Sequence, residues 1–274
     1  SEGYYSGALV IARMGLLFGF LASAGFFVAR GPGRYVYLLG PVLGLISIIL
    51  AEARGALLIV PVLTLLFLLF VIFAQEQKHR WRIVLSIAIV GSGIAALTFT
   101  MIGGTRLMST FTAVSDVLSS GKALDAPIQQ RLDFYSAGWT LFVHSPWLGY
   151  GWADIPKMAF TILDAKDYNG AYSLSFFDFH NDFLNFAVAA GVVGIGVLVA
   201  FFAAPIVGAW TSQRDSLFAP RLFAVSTIVI IFVLSGLTDI SLGFDRYTAA
   251  YTMMSAIILG VLRDKPIYAK GYFL

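Results

Sequence analysis

No cysteine occurs in the 274 residues, which excludes a disulfide framework and any thiolate-held metal site. That absence fits either face of a membrane and assigns no compartment. Charge is scarce as well. Asp, Glu, Lys and Arg make up 12% of the chain against 59% hydrophobic residues, whereas soluble domains carry about 25% charged and roughly 45–50% apolar residues. A chain this poor in charge cannot cover a water-facing surface, so most of its surface has to meet lipid or other spans. Histidine is limited to His79, His144 and His180, with no clustering that would gather ligands for a metal. No Walker-type or dinucleotide glycine motif is present; Gly31-Pro-Gly33 reads as a turn and Gly191–Gly196 as a packing face of a span. Paired carboxylates that would suggest a glycosidase are missing too. The net charge of +3 gives no case for nucleic acid, because the basic residues lie in short loops between apolar runs, where topology explains them.

What is present is a series of long apolar runs. A span needs roughly 20 apolar residues whose backbone groups bond internally. Such runs fall at about Gly7–Ala29, Tyr35–Leu50, Ala56–Ala74, Ile83–Ile102, Phe183–Ala204, Leu222–Leu237 and Tyr247–Leu262. The second and sixth are short and should extend into their flanks. The pattern predicts an all-α protein, a polytopic transmembrane helical bundle with a long periplasmic loop containing amphipathic helices. Residues 1–102 would hold four spans, 103–182 the periplasmic loop, and 183–274 three spans and a cytoplasmic tail.

The basic segments Arg30–Arg34, Lys78–Arg82, Arg214–Arg221 and Arg263–Lys270 alternate with short loops whose basic residues are Arg54 and Arg246. The positive-inside bias places the first set in the cytoplasm. The C-terminus would then be cytoplasmic and Ser1 periplasmic, in a multi-pass inner-membrane protein. No signal-peptide pattern precedes the first run, and an odd number of spans would lie upstream of Ser1 if the native N-terminus is cytoplasmic. The loop from Gly103 to Asp182 holds a polar stretch, Ser115–Gln130, and an aromatic segment, Arg131–Trp152. Arg131 to Phe142 reads as an amphipathic helix ending near His144-Ser-Pro, with aromatics suited to a membrane interface. Long connections of this kind are usually functional.

Ionisable residues beside the spans are the candidates for chemistry. His180 lies in Asp178-Phe-His180-Asn181-Asp182, where the long loop meets the fifth span. Near neutral pH an imidazole can take a proton from a hydroxyl, and Asp178 or Asp182 can orient it. Equally, His180 can be a residue bonded at a helix start that Asn181 or Asp182 caps. Arg54, between two apolar runs, offers a planar guanidinium suited to phosphate, or a salt bridge to Glu52. Arg131 can meet an anionic lipid head group, or pair with Asp133 or Asp125. Arg13 reads as an anchor at the periplasmic end of its span. Asp239 and Arg246 can border the same cavity as His180 or form an ordinary ion pair.

Arg131-Leu-Asp-Phe-Tyr, Trp139, His144-Ser-Pro-Trp-Leu-Gly149-Tyr-Gly151, His180-Asn181-Asp-Phe-Leu and Ala190-Gly191-Val-Val-Gly194, with the earlier Ala53-Arg54-Gly55-Ala, together resemble the O-antigen ligase and polymerase superfamily. The resemblance runs from about residue 50 to 196. It implies an inverting, metal-independent glycosyl transfer on the periplasmic side without a cofactor. The donor would be an undecaprenyl-diphosphate-linked glycan, and in O-antigen ligases the acceptor is a sugar hydroxyl of lipid A–core. Carried over by position, His180 would be the catalytic base, and Arg54 and Arg131 would bind the donor diphosphate. Asn181, Asp178 and Asp239 would be supporting residues. The family often has an acidic residue before the glycine that here follows Ala190, so that acid's role does not transfer. An O-antigen polymerase or a protein O-glycosyltransferase would share the donor and differ in acceptor. A transporter of lipid-linked glycan would use intramembrane arginines without a base.

Overall fold

The computed structural model describes residues 3–51, 53–74, 112, 115–122, 126–164, 178–243 and 245–261. Among them the regular structure is helical throughout, with no strand. The helices are α1 (Gly3–Ala22), α2 (Gly25–Val28), α3 (Leu39–Leu50), α4 (Arg54–Leu57), α5 (Ile59–Ala74), α6 (Ala126–His144), α7 (Ile155–Asp164), α8 (Asp182–Trp210), α9 (Phe218–Thr238) and α10 (Asp245–Val261). Short 3-10 turns at Pro32–Leu38 and Trp152–Asp154 complete them.

Among the described residues, five helical stretches are long and apolar enough to cross a membrane: Leu9–Val28, Pro32–Leu50, Gly55–Phe73, Asp182–Trp210 and Phe218–Thr238. The two runs that are short in sequence are lengthened at their N-terminal flanks, by the 3-10 turn ahead of α3 and by Phe218–Arg221 in α9. Tyr247–Gly260 in α10 is a shorter apolar helix. The run Ile83–Ile102 and the basic segments Lys78–Arg82 and Arg263–Lys270 lie outside the described residues.

Two compact units divide the chain, one from residues within 1–89, 203–231 and 248–274, the other from residues within 90–202 and 232–247. In the first unit α1 and α3 meet through Gly15 and Gly19 on one side and Gly40 and Gly44 on the other. A Cβ on Gly44 would lie 3.1 Å from the Gly15 carbonyl oxygen. Small residues at four-residue spacing let two backbones approach, which is how spans associate where no hydrophobic force acts between them. Phe26, Phe27, Phe67, Phe70 and Phe223 interlock nearby with ring centroids 5.3 to 6.3 Å apart. In the first turn of α9, Arg221 is fully buried and donates to Asp215 Oδ1 and the Gln213 carbonyl of the α8–α9 turn, both at 2.9 Å. Arg214 stacks over Phe218, 3.8 Å from the ring centroid. The basic residues of this loop therefore shape the turn besides carrying charge.

The second unit is built on the amphipathic pattern of the long loop. Phe134, Ala137 and Leu141 of α6 and Ile155, Ala159 and Leu163 of α7 repeat at helical spacing and are buried with Phe179, Val188 and Ala189. Each larger side chain so buried contributes about 1.5–3 kcal/mol relative to exposure.

α8 is broken at Ala190 (φ −138°, ψ 17°) and Gly191 (φ 60°, ψ −150°). The break frees backbone groups that must find partners away from water. The Pro146–Gly151 segment supplies them. Tyr150 N–H donates to the Val188 carbonyl (2.9 Å), Gly151 N–H to Ala189 (2.9 Å), and Val192 N–H to Pro146 (2.7 Å). Gly149 and Gly191 both have positive φ, and a Cβ on either would strike the other segment's backbone, Ala189 in one case and Trp147 in the other. Gly191 therefore marks a helix interruption and not a packing face of a continuous span. The residues after it, 192–210, extend about 28 Å, close to the hydrocarbon thickness of about 30 Å. Beside the break, Trp147 and Leu148 are 73% and 76% exposed.

Candidate functional site

His180 precedes α8 in an unusual backbone state. Its φ is +49°, and among the described residues it is the non-glycine residue with positive φ. That conformation costs an L-residue about 1–2 kcal/mol and persists only where neighbours impose it. Here they do. Asp178 Oδ1 accepts the His180 N–H at 2.6 Å, an Asx turn. The preceding N–H, from the fully buried Phe179, donates to Asn185 Oδ1 at 3.0 Å. Tyr135 Oη lies 3.3 Å from the His180 carbonyl oxygen and 3.2 Å from that of Leu237, so its proton serves either. Asn181 caps α8, with its Oδ1 accepting from Leu184 N–H at 3.0 Å while its Nδ2 donates to the Leu237 carbonyl at 3.0 Å.

The imidazole itself points at a carboxylate from a different part of the chain. His180 Nδ1 lies 2.9 Å from Asp239 Oδ1 and 3.7 Å from Asp178 Oδ1. With Nδ1–H donating to Asp239, the neutral ring keeps Nε2 as an acceptor. The side chain is 41% exposed against 19% for Asp239, so the ring is reachable while its partner is largely shielded. Phe134 lies near-parallel to the ring, 6.0 Å between centroids. The Asp239 hydrogen bond holds the His180 pKa above its usual value, helped by the charge of Asp178 and opposed by burial and by Arg131. Burial pushes the Asp178 carboxyl up, with His180 holding it back, and burial likewise raises the Tyr135 phenol.

Arg131 stands on α6 one turn before Tyr135, exposed, and its charge is felt by both His180 and Tyr135. Among the described residues it makes no ion pair. Asp133, its expected partner, is buried and instead accepts from Gln129 Nε2 at 2.9 Å. Asp182, expected to orient the imidazole, does not reach it. Its Oδ2 accepts from Ser241 N–H (2.8 Å), Ser241 Oγ–H and Leu242 N–H (3.1 Å). Arg13 is 4% exposed within α1, so it is enclosed by protein and does not act as an anchor reaching for the interface. Arg54 opens α4 and Arg246 lies in the first turn of α10; the side chains of both, and all of Glu52 and Asp125, lie outside the described structure.

Of the six site residues to which the sequence pointed, the second unit gathers His180, Asp178, Asn181, Asp239 and Arg131, while Arg54 belongs to the first unit. Sequence alone assigned no role to Tyr135, Asn185 or Ser241. Tyr135 carried a usable signal, since it follows Arg131 by four residues on a helix already read as amphipathic.

The segments that carry Arg131 and His180 are also matched by family comparison, whereas Asp239 lies beyond the matched residues. Residues 39–199 match the O-antigen ligase family, more than half of the chain, including α6, the Pro146–Gly151 segment, His180 and the break in α8. No curated protein matches the chain. The family match, the apolar spans and the all-α architecture agree: the chain belongs to the O-antigen ligase family, multi-pass bacterial membrane enzymes of glycosyltransferase type that act on lipid-linked glycans.

Proposed function

We propose that the protein is an O-antigen ligase in the strict sense: it transfers a glycan from undecaprenyl diphosphate to a sugar hydroxyl of lipid A–core, on the periplasmic side of the inner membrane. The observation that carries this reading is the His180–Asp239 pair, with a reachable imidazole whose Nδ1 is occupied at 2.9 Å and with the Arg131 charge beside it. His180 Nε2 takes the proton of the acceptor hydroxyl as its oxygen attacks the anomeric carbon. The bond from that carbon to the diphosphate oxygen breaks, its electron pair leaves with the diphosphate, and the configuration inverts. A hydroxyl is a poor nucleophile until a base removes its proton. Asp239 orients the ring and stabilises the imidazolium that forms, the part a carboxylate plays in acid–base triads.

Arg131 offsets the charge that grows on the departing diphosphate, a task for a fixed cation. Arg54 is proposed from the family resemblance alone as a second cation for that anion. The transfer draws its energy from the activated diphosphate–sugar bond and uses neither nucleotide nor metal.

Reconstituted protein offered donor with lipid A–core, free glycan repeat and a pilin-like peptide side by side tests this reading. Mass spectrometry should find glycan on lipid A–core, and His180→Ala should abolish the product while the protein still inserts. Chain extension of the glycan instead would make the protein a polymerase. Normal ligation by His180→Ala would remove the imidazole from the chemistry.

A further inference from the structure

Two contacts tie the segment that carries His180 to the turn that carries Asp239, and they run in step. His180 meets Asp239 across 59 residues of chain. Two positions later on both segments, Asp182 meets Ser241 across the same 59. Asn181 lies between them and reaches the Leu237 carbonyl. Asp182 is 2% exposed, and its Oδ2 takes two backbone N–H groups and one hydroxyl from Ser241 and Leu242. It also rests against the last turns of α9, where a Cβ on Gly236 would lie 2.6 Å from that oxygen.

Capping does not explain Asp182. Asn181 already caps α8 through Leu184 N–H, and the carboxylate of Asp182 is directed at the turn after α9. A buried carboxylate is costly unless its oxygens are well supplied with donors, and here three donors come from the 241–242 backbone and side chain. Asp239 sits on the same short connection, between Thr238 and Asp245. A base and its orienting group must keep their geometry to about 0.5 Å, and a connection this short transmits a clamp at Ser241 directly to Asp239. We propose that Asp182 is a positioning residue that holds Asp239 against His180, its clamp on Ser241 and Leu242 setting the register in which carboxylate meets imidazole.

This inference rests on the His180–Asp239 pair being the acid–base unit, and its first test needs no substrate. In the full chain with His79→Gln and His144→Gln, NMR of ring-labelled histidine follows the titration of His180. Among the described residues, the charged groups that act on that ring are Asp178, Asp239 and Arg131. Asp182→Asn should lower the His180 midpoint toward that of an ordinary histidine, in the direction given by Asp239→Asn. Transfer turnover should fall about tenfold to a hundredfold, the scale of a misplacement near 1 Å. The double variant Asp182→Asn/Asp239→Asn should match Asp239→Asn alone in both titration and rate, because the first residue acts through the second. An unmoved His180 titration in folded Asp182→Asn, or losses that multiply in the double variant, overturns the proposal. Should Asp182→Asn fail to fold, Ser241→Ala, which removes one donor, must shift the titration the same way, and an unchanged midpoint there overturns it equally. A protein with the expected titrations and no transferase activity on any donor would refute the ligase reading and leave this one standing.

Discussion

His180 and Asp239 stand 59 residues apart along the chain and 2.9 Å apart in space, one before α8 and the other after α9. The pairing raises the histidine pKa, and a base works only when neutral. Activity should therefore rise with pH through a midpoint above the ordinary histidine value of about 6.5. Asp239→Asn should move that acid limb to lower pH and cut maximal turnover about a hundredfold or more, within the range that general-base catalysis supplies. A rate profile against pH for both proteins checks it; an unmoved limb would dissociate the pair from the rate.

Arg131 acts on the same ring with the opposite sign. Arg131→Ala should move the acid limb upward while weakening donor binding about tenfold to a hundredfold, the worth of a hydrogen bond to a charged group. Arg131→Lys should recover part of the binding, because an ammonium keeps the charge and loses the bidentate fork. Binding of an isoprenoid diphosphate by titration calorimetry measures it without turnover.

The left-handed backbone at His180 predicts a stability order. His180→Gly and His180→Ala both lose the imidazole, but glycine adopts this φ without penalty. His180→Gly should be the more stable by about 1 kcal/mol, read as a higher melting temperature in detergent. An alanine variant that melts later would contradict the strain.

Gly149 and Gly191 press backbone against backbone at positive φ. Gly149→Ala or Gly191→Ala should each destabilise by about 1–3 kcal/mol from overpacking, with the backbone penalty added. Gly196→Ala, where a Cβ meets nothing within 4 Å, should melt like the parent protein.

Because the chain contains no cysteine, single cysteines report topology without background. In spheroplasts, Ser136→Cys on exposed α6 should react with an impermeant maleimide, and Ser216→Cys, in the turn before α9, only after permeabilisation. The reverse labelling would invert the proposed orientation.

Hydropathy was sufficient for five of the seven expected spans, because a lipid environment forces every backbone group to bond within its own helix and leaves a long apolar run as the visible result. The face of α6 was legible for the same local reason, as Phe134, Ala137 and Leu141 recur with the helical period. The α1–α3 contact was equally written in the chain, in the four-residue spacing of Gly15/Gly19 and Gly40/Gly44.

The partner of His180 was not legible at that level. Asp178 and Asp182 lie within two residues of it and Asp239 two whole spans away, so proximity in sequence favours the wrong groups. Only the fold decides among the three carboxylates, because it turns His180 into the left-handed region, gives Asp178 to the backbone N–H and Asp182 to Ser241, and leaves Asp239 for the ring. The sequence by itself determined which segments enter lipid and which residue types stand beside them, since both follow from local period and composition. Which charge faces which was decided by tertiary structure, because electrostatic and hydrogen-bond geometry depends on distance through space, and a helix of twenty-odd residues can bring remote groups together as readily as it separates near ones.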